Sequence, residues 1–232
     1  MARFKGWSRR ALLQSAAYMS ALGLPSIAPI ALGKPAAAAT VEPFPLAAIR
    51  LRPSPYLTAV ESNGAYLLRL EPDRLLHNFR SSAGLSPKGA VYGGWESMSL
   101  AGHSLGHYLS ACSLMFAQTG EQPFRHRAQY IIAELQQCQT AHGDGYVGGF
   151  TRSRGVLSED GKGIFPEIAR GEIHSAAFSL NGAWSPLYTL HKLFAGLLDA
   201  HEHCGSTTAL QVAEGLGAGP VFGCRVLPTT TT

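Results

Sequence analysis

Residues 93–111, GGWESMSLAGHSLGHYLSA, set a Trp-Glu pair and two histidines one helical turn apart, just after a glycine-rich stretch. His103 and His107 stand at i and i+4 and so project from one side of a helix. Three chemistries fit that spacing: a hydrogen-bonded pair at the polar end of a core helix, the lining of a substrate site, or two-point capture of a metal ion. HxxxH lacks the glutamate of HExxH and fixes no third ligand, so no metal ligand is assigned. Gly102 and Gly106 beside the histidines leave room for another chain or a ligand to approach the backbone. Glu96 also has two readings. It fits a carboxylate facing first-turn amides, with Ser97 or Ser99 able to cap, and it fits a partner for hydroxyls beside a ring stacked on Trp95.

Two further stretches carry polar and aromatic groups together. GDGYVGGF, residues 143–150, combines Asp144 and Tyr146 with four glycines and reads as a tight turn or as part of a pocket wall. RGEIHSAAFSLNGAWSPLYTLHK, residues 170–192, carries Glu172, His174, Asn181, Trp184, Tyr188 and His191. Planar rings mixed with hydrogen-bonding side chains match a polyhydroxylated ligand, whose C–H faces need rings and whose hydroxyls need bridging groups. Tyr188 and His191 lie three apart on the opening turns of a helix and share a face. Hydrolysis of a glycoside in the orthodox way needs two carboxylates, for which Glu96, Asp144, Glu167 and Glu172 are the candidates.

The elements that must position these residues are helical. Apolar residues recur at helical spacing over 59–79, with Pro72 placed to open a second short helix, over about 100–118, over about 123–141 and over 186–204. The proline-marked segment 43–57 reads as extended, and 81–94 as a long surface loop. VYGG and YVGGF are too short and too rich in glycine to build a sheet. The expectation is an all-α scaffold with a pocket at one set of loop ends.

A chain of 232 residues holds one domain with a proper core. It carries 19 Lys and Arg against 15 Asp and Glu, a formal charge of +4. Arg3, Lys5, Arg9, Arg10 and Lys34 fall within the first 39 residues with no acidic residue among them, so the remainder is near neutral. That excludes a nucleic-acid partner as the meaning of the charge. Residues 1–39 read as a processing segment: a basic start, SRRALL with the Arg9 and Arg10 pair of a twin-arginine export signal, a mildly apolar run and small residues before position 40. Gly23, Pro25, Pro29 and Gly33 interrupt the run, so no stable membrane span is expected. The expected partners are the twin-arginine export machinery and an oligosaccharide or glycoside, and the expected location is the bacterial periplasm or the medium. Cys112 and Cys138 fall in apolar-periodic segments and read as buried thiols, and no CxxC pair is present. Beyond residue 214, GLGAGPVFGCRVLPTTTT breaks the helical pattern, and residues 215–232 read as an atypical tail or a frameshifted end.

Together the motifs PSPYL, NGAYLLRLEPDRLLHNFRSSAGL, YGGWES, GHSLGHYLSACSLMFAQTG, GDGYVGGF and PLYTLHKLFAGLLDAHEHCG resemble the N-terminal part of the catalytic domain in glycoside hydrolase family 127, the beta-L-arabinofuranosidase-like proteins, over residues 53–214. The resemblance implies a partial (α/α)6 barrel, truncated at its C-terminus, from a family that hydrolyses terminal beta-L-arabinofuranosides and related plant glycans. It implies a zinc-bound cysteine nucleophile and a glutamate acid/base in full-length relatives. The zinc cluster of one glutamate and three cysteines has no matching segment here, and Cys204 and Cys224 do not stand in such a motif. The expectation is therefore no cofactor in this chain and an inactive, sugar-holding remnant, or else a helical interaction fragment. By the same resemblance His103 and His191 match sugar-contacting positions, and His107 either joins them or braces the barrel. Trp95, Glu96, Tyr188, Asp144, Glu172 and His174 complete the expected substrate-binding set.

Overall fold

A computed structural model describes residues 43–220, of which 44–220 belong to one structural unit. Arg9, Arg10, Cys224 and the rest of segments 1–42 and 221–232 lie outside the described residues. Helix α1 is Pro55–Arg69, α2 Pro72–Leu75, α3 His77–Ser82, α4 His103–Thr119, α5 Gln122–His142, α6 Ile164–Ala169, α7 Pro186–Cys204 and α8 Thr207–Ala218. Proline opens four of them for one reason: its missing N–H and fixed φ suit the first turn. At α1 the Ser54 hydroxyl accepts from Leu57 N at 3.3 Å, so the helix starts at Pro55, inside the segment whose prolines predict extended chain. Helix α8 runs on through the buried Leu216 to Ala218, four residues beyond the break that the sequence pattern places after Glu214.

The long helices pack in pairs, α4 with α5, α4 with α7 and α7 with α8. Between them lies a core of Leu76, Phe79, Leu105, Leu109, Ile131, Leu135, Leu197 and Val212, each at most 1 % exposed. Each such side chain contributes about 1.5–3 kcal/mol. The α4–α7 pair is the closest approach. A Cβ on Gly106 would lie 2.3 Å from the Lys192 carbonyl, and one on Gly196 would lie 2.5 Å from the Gly106 carbonyl oxygen. The room beside the histidines is thus filled by another helix of the same chain, backbone against backbone.

The expectation of an all-α chain is incomplete. Between α5 and α7 runs a five-stranded antiparallel sheet in the order β2-β1-β5-β4-β3, with β1 Thr151–Arg154, β2 Leu157–Asp160, β3 Ser175–Ala176, β4 Ser179–Leu180 and β5 Ala183–Trp184. Its strands are two to four residues long and mostly polar, so they carry no alternation to betray them. Polar pairing holds this part together. The buried Arg152 donates to Glu167 at 2.7 Å and pairs with Glu159 at 3.1 Å, and Asn181 Nδ2 donates to the other Glu167 oxygen at 2.9 Å.

The loop following α3 is fastened at several points. His77 Nδ1 donates to Gly89 O at 2.7 Å, Arg80 Nε to Ser86 O at 2.7 Å, and Arg74 Nε to Ala90 O at 3.1 Å with its guanidinium over the Tyr92 ring. Buried Glu134 of α5 pairs with both Arg80 and Lys88 at 2.6 Å. The segment that delivers Trp95 and Glu96 is therefore anchored to the helical layer. Among the described residues no helix is long and apolar enough to cross a membrane.

Candidate functional site

The N-terminal ends of α4 and α7 meet beside a single turn of 3-10 helix, Gly94–Ser97, and bring three rings around His103. Tyr188 stacks on the His103 ring with centroids 5.3 Å apart at 28°, while Trp95 and His107 meet it edge-on at 5.8 and 4.7 Å. Trp184 meets Trp95 edge-on at 6.5 Å. Trp95 remains 55 % exposed and Tyr188 49 %, so much of their surface faces solvent at an already ordered site. Lys192, one turn after Tyr188, holds its ammonium 4.7 Å from the Tyr188 ring centroid.

Beneath these rings Glu96 is only 5 % exposed. Its oxygens accept from Gly102 N and Ser104 N at 3.4 Å, the amides that open α4, where φ of +106° at Gly102 turns the chain into the helix. Burial pushes the Glu96 carboxyl above its ordinary range, an effect opposed by hydrogen bonding to Ser104 and Gly102. The helix-capping reading of Glu96 is thus the one the contacts display. Neither serine caps α4: Ser97 donates to Gly94 O at 3.0 Å, and Ser99 is engaged with Thr151 and Trp184. Asn78 Nδ2 donates to Glu96 O at 3.1 Å and ties the turn to α3.

The His103 imidazole is held below its ordinary pKa, first by burial and then by His107 and Lys192. It is therefore neutral at pH 7, with one nitrogen a donor and the other an acceptor. Its Nδ1 is buried without a hydrogen-bond partner in the protein. His107 is exposed.

The remaining expected residues are placed differently. His191 is exposed on α7, three residues past Tyr188, and makes none of the ring contacts around His103. Asp144 pairs with Lys162 at 2.9 Å and accepts from Tyr146 N at 3.2 Å, while Tyr146 itself is fully buried. Exposed Glu172 is held by both sides of the Arg170 guanidinium, at 2.9 and 3.0 Å, and His174 N donates to Asn181 Oδ1 at 2.8 Å. Asp144, Glu167 and Glu172 each answer a cation. Glu96 differs in facing backbone amides.

Sequence reasoning assigned no role to Lys192 and read Ser99 only as a cap for α4. Lys192 had a usable signal, since it follows Tyr188 by four residues on a helix. The segment 178–185 had none. Phe178, Asn181 and Ser185 take positive φ of 59°, 49° and 44°, a conformation that L-residues seldom adopt, and Ser185 leads directly into α7.

The donor set for a zinc-bound nucleophile does not fit the described residues. Among them no three His, Cys, Asp or Glu side chains stand together to hold a metal ion. Burial pushes the Cys112 and Cys138 thiols up to about 11, which keeps them protonated and weakly nucleophilic.

A search of the curated proteins finds no match to the chain. The family model for the beta-L-arabinofuranosidase GH127 catalytic domain matches residues 48–218. That span includes every helix from α1 to α8 and all the rings around His103, so the chain belongs to the GH127 beta-L-arabinofuranosidase catalytic-domain family.

Proposed function

We propose that the rings around His103 form a cradle for one sugar of a glycan, and that the natural ligand ends in a beta-L-arabinofuranoside or a related plant glycoside. The observation that carries the reading is the pair of half-exposed rings, Trp95 and Tyr188, set about a neutral, half-buried imidazole. Rings take the C–H face of a sugar, and the imidazoles of His103, through the nitrogen other than its buried Nδ1, and of His107 exchange hydrogen bonds with its hydroxyls. His191, one turn on from Tyr188, extends the polar side of the cradle. Glu96 serves from below by fixing the start of α4. Asp144, Glu172 and His174, tied into the loop and sheet beyond α5, are assigned to the more distant sugars of a longer ligand. The paired helices are read as the opening part of an (α/α)6 toroid.

A second reading, that residues 43–220 bind without hydrolysing, is favoured by the protonated state of Cys112 and Cys138 and by the ion pairs that occupy Asp144, Glu167 and Glu172. Both readings are tested together. The purified chain is incubated with a chromogenic beta-L-arabinofuranoside, with and without zinc, and titrated calorimetrically with arabinose oligosaccharides. Binding without release supports the second reading, release above blank establishes an enzyme, and neither binding nor release removes both.

We further propose that the chain leaves the cytoplasm through twin-arginine machinery, for the periplasm or the medium. The support is the Arg9-Arg10 pair and the segment that follows it. Changing both arginines to lysine keeps the charge and removes the guanidinium pair. Cell fractionation is expected to find that variant retained, and unchanged export would contradict the route.

A further inference from the structure

We propose that Ser99 is the positioning residue of the aromatic cradle, acting through Trp184 and Trp95; the inference rests on the sugar-cradle reading above. Strands β1 and β5 are antiparallel, with Arg152 opposite Ala183, and Ser153 N donates to Gly182 O at 2.9 Å. In an antiparallel ladder hydrogen-bonded pairs alternate with non-bonded ones. With 153 and 182 bonded and 152 facing 183, the next bonded pair is Thr151 with Trp184.

At that rung a side chain from outside the sheet joins the Trp184 amide and the Thr151 carbonyl. The amide donates to Ser99 Oγ at 3.0 Å, and the Ser99 hydroxyl donates to the Thr151 carbonyl. A serine hydroxyl has one proton and two lone pairs, so it can stand between an amide and a carbonyl and satisfy both. Ser99 is thus bound to both strands at the point where β5 delivers Trp184 and passes into α7.

The consequence for the cradle is geometric. Trp95 lies four residues before Ser99 and meets Trp184 edge-on at 6.5 Å, while Tyr188 lies four residues after Trp184. One hydroxyl therefore ties the segment carrying Trp95 to the strand carrying Trp184 and to the start of the helix carrying Tyr188. Alanine at 99 removes the hydroxyl that the Trp184 amide and the Thr151 carbonyl share. The segment carrying Trp95 then loses its hydroxyl tie to β1 and β5, which shifts Trp95 relative to Trp184.

The test separates position from binding. Near-UV circular dichroism reads the coupling between Trp95 and Trp184 without any ligand, and Trp95→Phe defines the spectrum lacking that coupling. In the full chain, Ser99→Ala is expected to lose most of the coupled signal and to weaken arabinose-oligosaccharide binding about three- to tenfold, the size of one hydrogen bond lost. Ser99→Thr, which keeps the hydroxyl, is expected to restore both. Adding Ser99→Ala to Trp95→Phe should change the spectrum little further. An unchanged spectrum in Ser99→Ala overturns the proposal, as does failure of Ser99→Thr to recover the spectrum. If Ser99→Ala does not fold, the Ser99→Thr spectrum decides the matter: a wild-type signal supports the hydroxyl's role and an altered one overturns it. Should the wild-type chain bind no sugar, the cradle reading fails while the spectra still decide the role of Ser99.

Discussion

The α4–α7 seam and the sheet between α5 and α7 both deliver residues to the same cradle, yet they are held by different forces. At the seam Gly106 and Gly196 let two backbones touch, and the surrounding contacts are apolar. In the sheet region short polar strands are fixed by Arg152, Glu167 and Asn181, whose charges and amide answer one another. Packing at the seam tolerates no added volume, whereas pairing in the sheet region tolerates no missing partner. His103 and Tyr188 depend on the first kind of order, and Trp184 on the second.

The largest effect is expected at the seam. Gly106→Val places a branched side chain where even a Cβ meets the Lys192 carbonyl at 2.3 Å, and should cost at least about 4 kcal/mol in denaturant unfolding. A loss under about 1 kcal/mol would show that the helices can separate freely. Next comes Arg152→Leu, which takes the Arg152 guanidinium away from the buried Glu167 carboxylate. It should cost about 3 kcal/mol, and Arg152→Leu combined with Glu167→Met should recover part of that loss. Additive losses in the double variant would deny the pairing any special role.

A smaller, pH-dependent difference is expected at His142. Ser82 Oγ lies 3.4 Å from its Nε2, Lys162 Nζ 3.2 Å from its Nδ1, and Tyr146 meets its ring edge-on, while Asp144 and Asp160 oppose the lysine's field. Burial and then Lys162 hold its pKa below the ordinary 6.5. A depressed folded-state pKa means stability that is present above 6.5 and lost as pH falls through the folded value. Tm should therefore fall less for His142→Gln than for the wild type between about pH 7.5 and about pH 5. Parallel curves would remove His142 as a contributor, and the slope remaining in the variant should diminish further when His103 is also replaced.

The smallest effect is expected for Glu96→Gln, and its sign is opposite. A raised carboxyl pKa stabilises below the ordinary 4.5, and that contribution is lost as pH rises through the folded value. The variant should gain on the wild type as pH increases from about 4 to about 7, since Gln keeps an acceptor for the α4 amides without burying a charge. Thermal melts at the two pH values check this, and a variant that loses ground with rising pH would show that the ionised form is the one the fold favours.

The two regions were unequally legible. Helices α4, α5 and α7 announce themselves through apolar spacing and a glycine just past the end, joined in α5 and α7 by a proline at the first or second position, so their bounds fall within three residues of expectation. The neighbourhood of Trp95, His103, His107 and Tyr188 could be guessed because chemistry-bearing residues crowd the starts of those helices. The sheet could not, because strands such as Ser175–Ala176 and Ser179–Leu180 draw their pairing from turns and from buried Asn181 rather than from any periodicity. Ser99 stayed hidden for a related reason. Its role arises only when Thr151 and Trp184, distant in sequence, stand on either side of its hydroxyl.

The central claim is that a sugar ring lies against Trp95 and Tyr188. Saturation-transfer NMR measures it directly, by irradiating the protein's aromatic protons and reading which sugar protons of an arabinose oligosaccharide receive the signal. The account predicts transfer concentrated on the C–H protons of one sugar ring, strongly reduced in both Trp95→Ala and Tyr188→Ala while each variant retains its helical circular dichroism. Transfer of equal strength in both folded variants, or none to the wild-type chain, would contradict it.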